Sequence, residues 1–138
     1  MKLGESYLKG GGELPIDKKQ IYIVDDDGSV CRALSVLLDT YGFKVDTFTA
    51  AKDFFSAVPN SAPGCLLLDI HMPGLDGWET LKRIVESGSN RPVILISANK
   101  NGELSKRALI AGAAGFLQKP FNDKALMDLI NAANTEKG

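Results

Sequence analysis

Ile21-Tyr22-Ile23-Val24 is an unbroken apolar run that stops abruptly on three acids, Asp25-Asp26-Asp27. A short apolar run with that abrupt end reads as a strand buried on both faces. The pattern recurs down the chain. Cys65-Leu66-Leu67-Leu68 runs into Asp69, Pro92-Val93-Ile94-Leu95-Ile96 runs into Ser97, and Gly115-Phe116-Leu117-Gln118 runs into Lys119-Pro120. Phe43 to Phe48 is a more polar strand, with Phe43, Val45 and Thr47 on one side, and so belongs at a sheet edge. Helical spacing fills the gaps. Val30, Leu34, Leu37, Leu38 and Tyr41 recur up to Gly42, a C-terminal cap. Ala50 to Val58 stops before Pro59, and Trp78, Leu81 and Val85 mark a third helix. Leu104, Ala108 and Ala111 lead to Gly112, and Leu126, Leu129, Ile130 and Ala133 follow Asn122 as N-cap. Strand and helix alternating five times predict an α/β domain: a parallel sheet with helices on both faces.

Composition bounds the rest. The chain has 138 residues, of which 44% are hydrophobic and 24% charged, enough apolar material for one core rather than two. Lys+Arg number 16 against Asp+Glu 17, so no global charge favours nucleic acid or an anionic membrane. The apolar runs are too short to span a bilayer and no secretory signal opens the chain. Cys31 and Cys65 lie in apolar segments without metal or redox spacing and read as reduced core thiols of a cytoplasmic protein. Residues 1–18, with Gly10-Gly11-Gly12 and no hydrophobic period, read as a flexible leader, and the domain as 19–138.

The informative polar residues share one address. Asp25 and Asp26 follow the first strand, Asp69 the third, Ser97 the fourth and Lys119 the fifth. In open α/β sheets ligands bind beyond the carboxyl ends of the strands. Taken singly, Asp25 to Asp27 could cap a helix, Asp69 and Ser97 could be turn residues and Lys119 a solvated charge. Jointly they describe a site. Clustered carboxylates repel one another and call for a cation, and an all-oxygen donor set suits Mg2+. Lys119 and Ser97 offer a positive charge and a hydroxyl to phosphoryl oxygens. With His71 the only histidine and no Ser/His/Asp set evident, a carboxylate is the best nucleophile, accepting a phosphoryl group as an acyl phosphate. No GxxxxGK[ST] loop is present to bind a nucleotide donor.

Over about residues 19–135 the sequence closely resembles the receiver domain of two-component response regulators. The matching segments are Ile23-Val24-Asp25-Asp26-Asp27, Leu67 through Gly77 (Leu-Leu-Asp-Ile-His-Met-Pro-Gly-Leu-Asp-Gly), Ile96-Ser97-Ala98 and Lys119-Pro120. The resemblance implies a doubly wound, flavodoxin-like, five-stranded sheet in the order 2-1-3-4-5, with a cis peptide at Lys119-Pro120. It implies Asp69 as phosphoacceptor from a partner histidine kinase or phosphotransfer protein. It further implies Asp26, Asp69 and the backbone carbonyl of His71 as direct Mg2+ ligands, Asp25 acting largely through water, and Ser97 and Lys119 on the phosphoryl group. Phosphorylation would draw Ser97 inward and let Phe116, three residues before the lysine, rotate inward, changing the surface of helix 4, strand 5 and helix 5. His71 and Asn99 would flank the route of attacking water and tune the lifetime of the phosphorylated state. Such a domain is a switch that assists its own phosphorylation and dephosphorylation rather than an enzyme. It binds no nucleic acid itself, inserts in no membrane, and has homodimerisation on phosphorylation open to it. Val45-Asp46-Thr47-Phe48 with Ala50, Ala51, Phe54 and Phe55 resembles receivers of the nitrogen-fixation regulator type, which often carry helix-turn-helix outputs. After the fifth helix only about five residues are expected, too few for such an output.

Three rivals share parts of this pattern. A haloacid-dehalogenase-like phosphatase also uses an Asp nucleophile with Mg2+, and Asp25-Asp26-Asp27 contains its DxD; the later acidic pair is missing, and Ser97 and Lys119 stand there instead. In a flavodoxin-like electron carrier three acids at the crevice would repel the flavin phosphate. A degenerate receiver acting only as an interaction module would not need the intact acidic set and Lys119.

Overall fold

The computed structural model describes residues 19–72, 74 and 76–137, so the leader expected over 1–18 lies outside the described residues, as do Pro73 and Leu75. Five strands alternate with five helices: β1 (Gln20–Val24), α1 (Gly28–Thr40), β2 (Lys44–Phe48), α2 (Ala51–Ala57), β3 (Cys65–Asp69), α3 (Gly77–Glu86), β4 (Val93–Ser97), α4 (Glu103–Ile110), β5 (Gly115–Gln118) and α5 (Asp123–Lys137). All strand pairs are parallel and the sheet order is β2-β1-β3-β4-β5.

The order follows from chain handedness. Right-handed crossovers put a helix on one face when the chain steps one way along the sheet and on the other when it steps back. The chain steps outward from β1 to β2, placing α1 on one face. It then returns over β1 to β3 and continues to β4 and β5, placing α2, α3 and α4 on the opposite face. The pleat sorts side chains accordingly. Ile21, Ile23, Cys65, Leu67, Ile94 and Ile96 pack with Leu34, Leu38, Leu126 and Ile130 of α1 and α5. Tyr22, Val24, Leu66, Leu68, Val93 and Leu95 pack with Phe54, Leu81, Ile84 and Ala108 of α2, α3 and α4. Every residue of β3 and β4 is buried, as their unbroken apolar runs require.

Most element ends differ from the sequence reading by single residues, but α5, read as leaving about five residues after it, runs on to Lys137. Asp69 and Ser97 close β3 and β4 rather than follow them, and β2 starts at Lys44. Gly42 and Gly112 adopt φ of 88° and 105° just past α1 and α4, the left-handed stop that glycine allows. Tyr41 and Val85, read as apolar-face markers, are about half exposed at 51% and 49%, and Tyr41 lies just past α1 as its C-cap. Cys31 and Cys65 are free and buried, and burial pushes the Cys65 thiol up to about 12.

The segment linking β3 to α3 is held tightly at its return. Gly77 N–H donates to Ile70 O at 2.9 Å, and a Cβ on Gly77 would lie 2.5 Å from Ile70 Cα and 2.7 Å from Asp69 O. Both obstacles are backbone, so neither can swing aside. Gly77→Ala is expected to lower stability by roughly 1–3 kcal/mol in urea denaturation, because α3 must back away from the end of β3.

Candidate functional site at the carboxyl ends of the strands

The reversal of strand order leaves β1 and β3 side by side, and their acidic ends meet. Carboxylate oxygens of Asp25, Asp26 and Asp69 all lie within 4.8 Å of one another. Asp25 and Asp69 are buried and Asp26 is exposed. The third acid of the run has another job. Asp27 is the N-cap of α1, its carboxylate accepting from Ser29 N–H at 2.9 Å and Val30 N–H at 3.4 Å. The Ser29 side chain and these amides hold its carboxyl below the usual range. One sequence run therefore splits into two site acids and one cap.

Lys119 reaches the cluster from the far end of β5, with Nζ 3.4 Å from Asp25 Oδ2 and 3.9 Å from Asp69 Oδ1. Its backbone N–H donates to Ser97 O at 2.8 Å, which ties the lysine to β4, and the Lys119-Pro120 peptide is cis. Asp25 Oδ1 accepts Asp27 N–H at 2.9 Å, and Cys31 Sγ contacts Asp25 O at 3.3 Å, so the acid is fixed from both sides. Burial is the main cause that pushes the Asp69 carboxyl up to about 6; Asp25 and Asp26 add repulsion, and Lys119 opposes it. Three acids against one nearby lysine leave an excess of negative charge. The donors are all hard oxygens, so the set fits a hard divalent cation.

The remaining residues singled out from the sequence fall around this cluster. Ser97 is fully buried, and its Oγ accepts Asn99 N–H at 3.0 Å and lies 3.3 Å from His71 Nε2. Ser97 is thus a turn-former as well as a neighbour of the site. His71 and Asn99 are both exposed, and Asn99 Oδ1 accepts Asn101 N–H at 2.9 Å. Phe116 is half-buried on the α2–α4 face of β5 and pairs with Leu95, one pleat below the Ser97–Gln118 pair. Ser97 and Phe116 therefore share one face of adjacent strands.

Two contacts were not read from the sequence. Asp76 caps α3 through Glu79 N–H at 2.9 Å, and the Asp76-Gly77-Trp78-Glu79 spacing carried the signal. The Arg107 guanidinium stacks over the Trp78 ring at 3.9 Å, joining α3 to α4; nothing local in the sequence announces that pair. No helix among the described residues is long and apolar enough to cross a membrane.

Comparison with known proteins agrees with this geometry. Residues 21–131 match the family model of the response regulator receiver domain. The chain is 40% identical over 116 residues to the transcriptional regulatory protein FixJ of Bradyrhizobium diazoefficiens, covering 84% of this chain and 57% of that protein. It is also 40% identical over 113 residues to the response regulator protein TodT of Pseudomonas putida, covering 82% of this chain and 50% of TodT. Full-length FixJ from B. japonicum superposes with a TM-score of 0.80 at 38% identity, over 87% of this chain and 59% of that one. The chain thus spans about half the length of these curated relatives. It belongs to the response regulator receiver domain family of two-component systems. Its fold is that family's flavodoxin-like sheet, and it is a signalling module rather than a classical enzyme. Family membership sets aside the phosphatase and flavin-carrier readings.

The raised Asp69 carboxyl makes a stability prediction. Its folded value of about 6 lies above the ordinary carboxylate value, so between roughly pH 4 and 6 the folded state binds more protons than the unfolded one. Stability should therefore fall as pH rises through that window. Asp69→Asn is expected to flatten this slope and to raise stability at pH 7 by on the order of 1 kcal/mol after solvent screening, measured by urea denaturation at the two ends of the window.

Proposed function

We propose that this chain is a phosphorylation-driven switch whose acceptor is Asp69. The observation that carries the reading is a buried carboxylate at the end of β3, grouped with Asp25 and Asp26 within 4.8 Å and facing the Lys119 ammonium at 3.9 Å. The donor is a phosphohistidine on a histidine kinase or phosphotransfer protein. An Asp69 oxygen attacks phosphorus, the P–N bond breaks, and its electron pair leaves with the donor imidazole, giving an acyl phosphate. Hydrolysis reverses the modification: water attacks phosphorus, the Asp69 oxygen leaves as carboxylate, and inorganic phosphate departs.

Mg2+ would be held by Asp25, largely through water, and directly by Asp26, Asp69 and the backbone carbonyl of His71, and would neutralise charge on the phosphoryl oxygens. The chain's own groups do the rest. Lys119 orients one phosphoryl oxygen and offsets its charge, and Ser97 donates its hydroxyl proton to another. Ala98, small and exposed beside Ser97, leaves the acceptor reachable. An open apolar groove formed by Val30, Ala33, Leu34, Ala98, Pro120 and Phe121 borders Lys119, a surface against which a donor domain can seat. His71 and Asn99 tune dephosphorylation from the two loops that rim the acceptor.

The output is a change in the α4–β5–α5 surface. Ser97 and Phe116 share the α2–α4 face, so withdrawal of the Ser97 side chain toward the phosphoryl group frees space into which Phe116 turns. Phe116 lacks a hydroxyl, so packing alone holds it there. α4 is suited to respond: of its residues only Ala108 is buried, and its N-cap, Gly102, supplies no side-chain hydrogen bond. The changed surface would engage an output partner or a second copy of the chain. The receiver unit is taken as 19–138 after a leader over 1–18, acting in the cytoplasm and not itself contacting nucleic acid.

Incubation with acetyl phosphate and Mg2+ should add the mass of one phosphoryl group to the intact protein. Asp69→Asn should gain none; equal modification of both would refute the acceptor, and no modification of either would favour a module that acts by interaction alone. Phe116→Ala should still be phosphorylated yet lose phosphorylation-dependent partner binding or dimerisation, and unchanged binding would remove its role in coupling.

A further inference from the structure

Ser97 carries a single hydroxyl proton, and two groups have a claim on it. The oxygen already accepts Asn99 N–H at 3.0 Å, which leaves the proton to point elsewhere. At 3.3 Å stands His71 Nε2. Ser97 is fully buried, and among the described residues no other side chain is hydrogen-bonded to its hydroxyl. His71 is exposed at the start of the loop that leaves β3, two residues beyond Asp69, so the element that carries the acceptor also carries the imidazole.

We propose that His71 is a resting-state latch: its Nε2 accepts the Ser97 proton and competes with the phosphoryl oxygens that Ser97 must reach when Asp69 is modified. This rests on the phosphoacceptor reading above and adds to it a positioning residue that opposes the switched state. Nε2 and a phosphoryl oxygen cannot both take one proton well, so each phosphorylation event must break the His71–Ser97 bond. The cost is set by one net hydrogen bond, and the released ring faces solvent, where water replaces its lost partner. The latch thus holds Ser97, and through the shared face Phe116, in the resting arrangement until a phosphoryl group draws the proton away.

The test uses beryllofluoride, a tetrahedral phosphoryl mimic that is not hydrolysed, so its equilibrium binding is blind to any role of His71 in guiding attacking water. Its affinity in the presence of Mg2+ is measured by calorimetry on the whole chain. His71→Ala and His71→Phe, which remove the acceptor, are expected to bind beryllofluoride about threefold to tenfold more tightly than the parent. His71→Gln, which restores an acceptor, is expected to return toward the parent affinity. In a Ser97→Ala background, His71→Ala should bring no gain, because no proton is left to hold. An unchanged affinity in His71→Ala, or the same gain with and without the Ser97 hydroxyl, overturns the latch. Failure of the parent to bind the mimic, or binding that survives Asp69→Asn, overturns the acceptor reading and the latch with it. Parent binding lost in Asp69→Asn keeps the acceptor reading standing even where the latch falls.

Discussion

Three carboxylates within 4.8 Å of one another, two of them buried, are a source of repulsion that the fold has to hold in place. The sheet supplies the restraint. β1 and β3 are neighbours only because the chain doubles back after β2, and Asp25 just past β1 and Asp69 at the end of β3 come to the same edge. The ladder between Ile21–Val24 and Cys65–Leu68 fixes that register, so the acids cannot separate without breaking central parallel pairing. The lysine at the end of β5 relieves part of the repulsion, and a hydrogen bond from its backbone to the end of β4 keeps it in reach. Stability built into the two apolar faces thereby holds a charged rim in place.

A connected set of contacts leads outward from that rim. Ser97 ends β4, Phe116 lies on the adjoining strand on the same face, and Ala108 is the only fully buried residue of α4 on that face. Arg107 over Trp78 fastens α4 to α3, whose first turn sits against the backbone of Asp69 and Ile70. The loop after β3 therefore meets the end of β4 through His71 and Ser97, while the stacked pair joins α3 to α4. In each contact one partner is exposed, His71 and Arg107, while the other is buried or half-buried, Ser97 and Trp78.

Much of this was legible before any coordinates. The runs at Ile21, Cys65 and Val93 declare central strands because burial on both faces leaves no polar alternation, and Gly42, Gly112 and Asn122 punctuate the helices by their conformational preferences. Asp25, Asp26, Asp69, Ser97 and Lys119 could be assigned to one end of the sheet because each follows a strand in a parallel array. The acidic run itself was ambiguous, since an Asp before a helix serves equally as cap or ligand; only placement shows Asp27 capping α1 while Asp25 and Asp26 turn to Asp69.

By itself the sequence determined which segments are strands, which are helices, and which polar residues stand at their carboxyl ends, because periodicity and end signals are local properties of a chain. Only the tertiary structure decided that Lys119 lies nearer Asp25 than Asp69, that His71 meets the Ser97 hydroxyl, and that Arg107 stacks on Trp78. Each of those pairs joins residues more than two dozen positions apart, and their distances are set by strand register and helix packing, which no local pattern encodes.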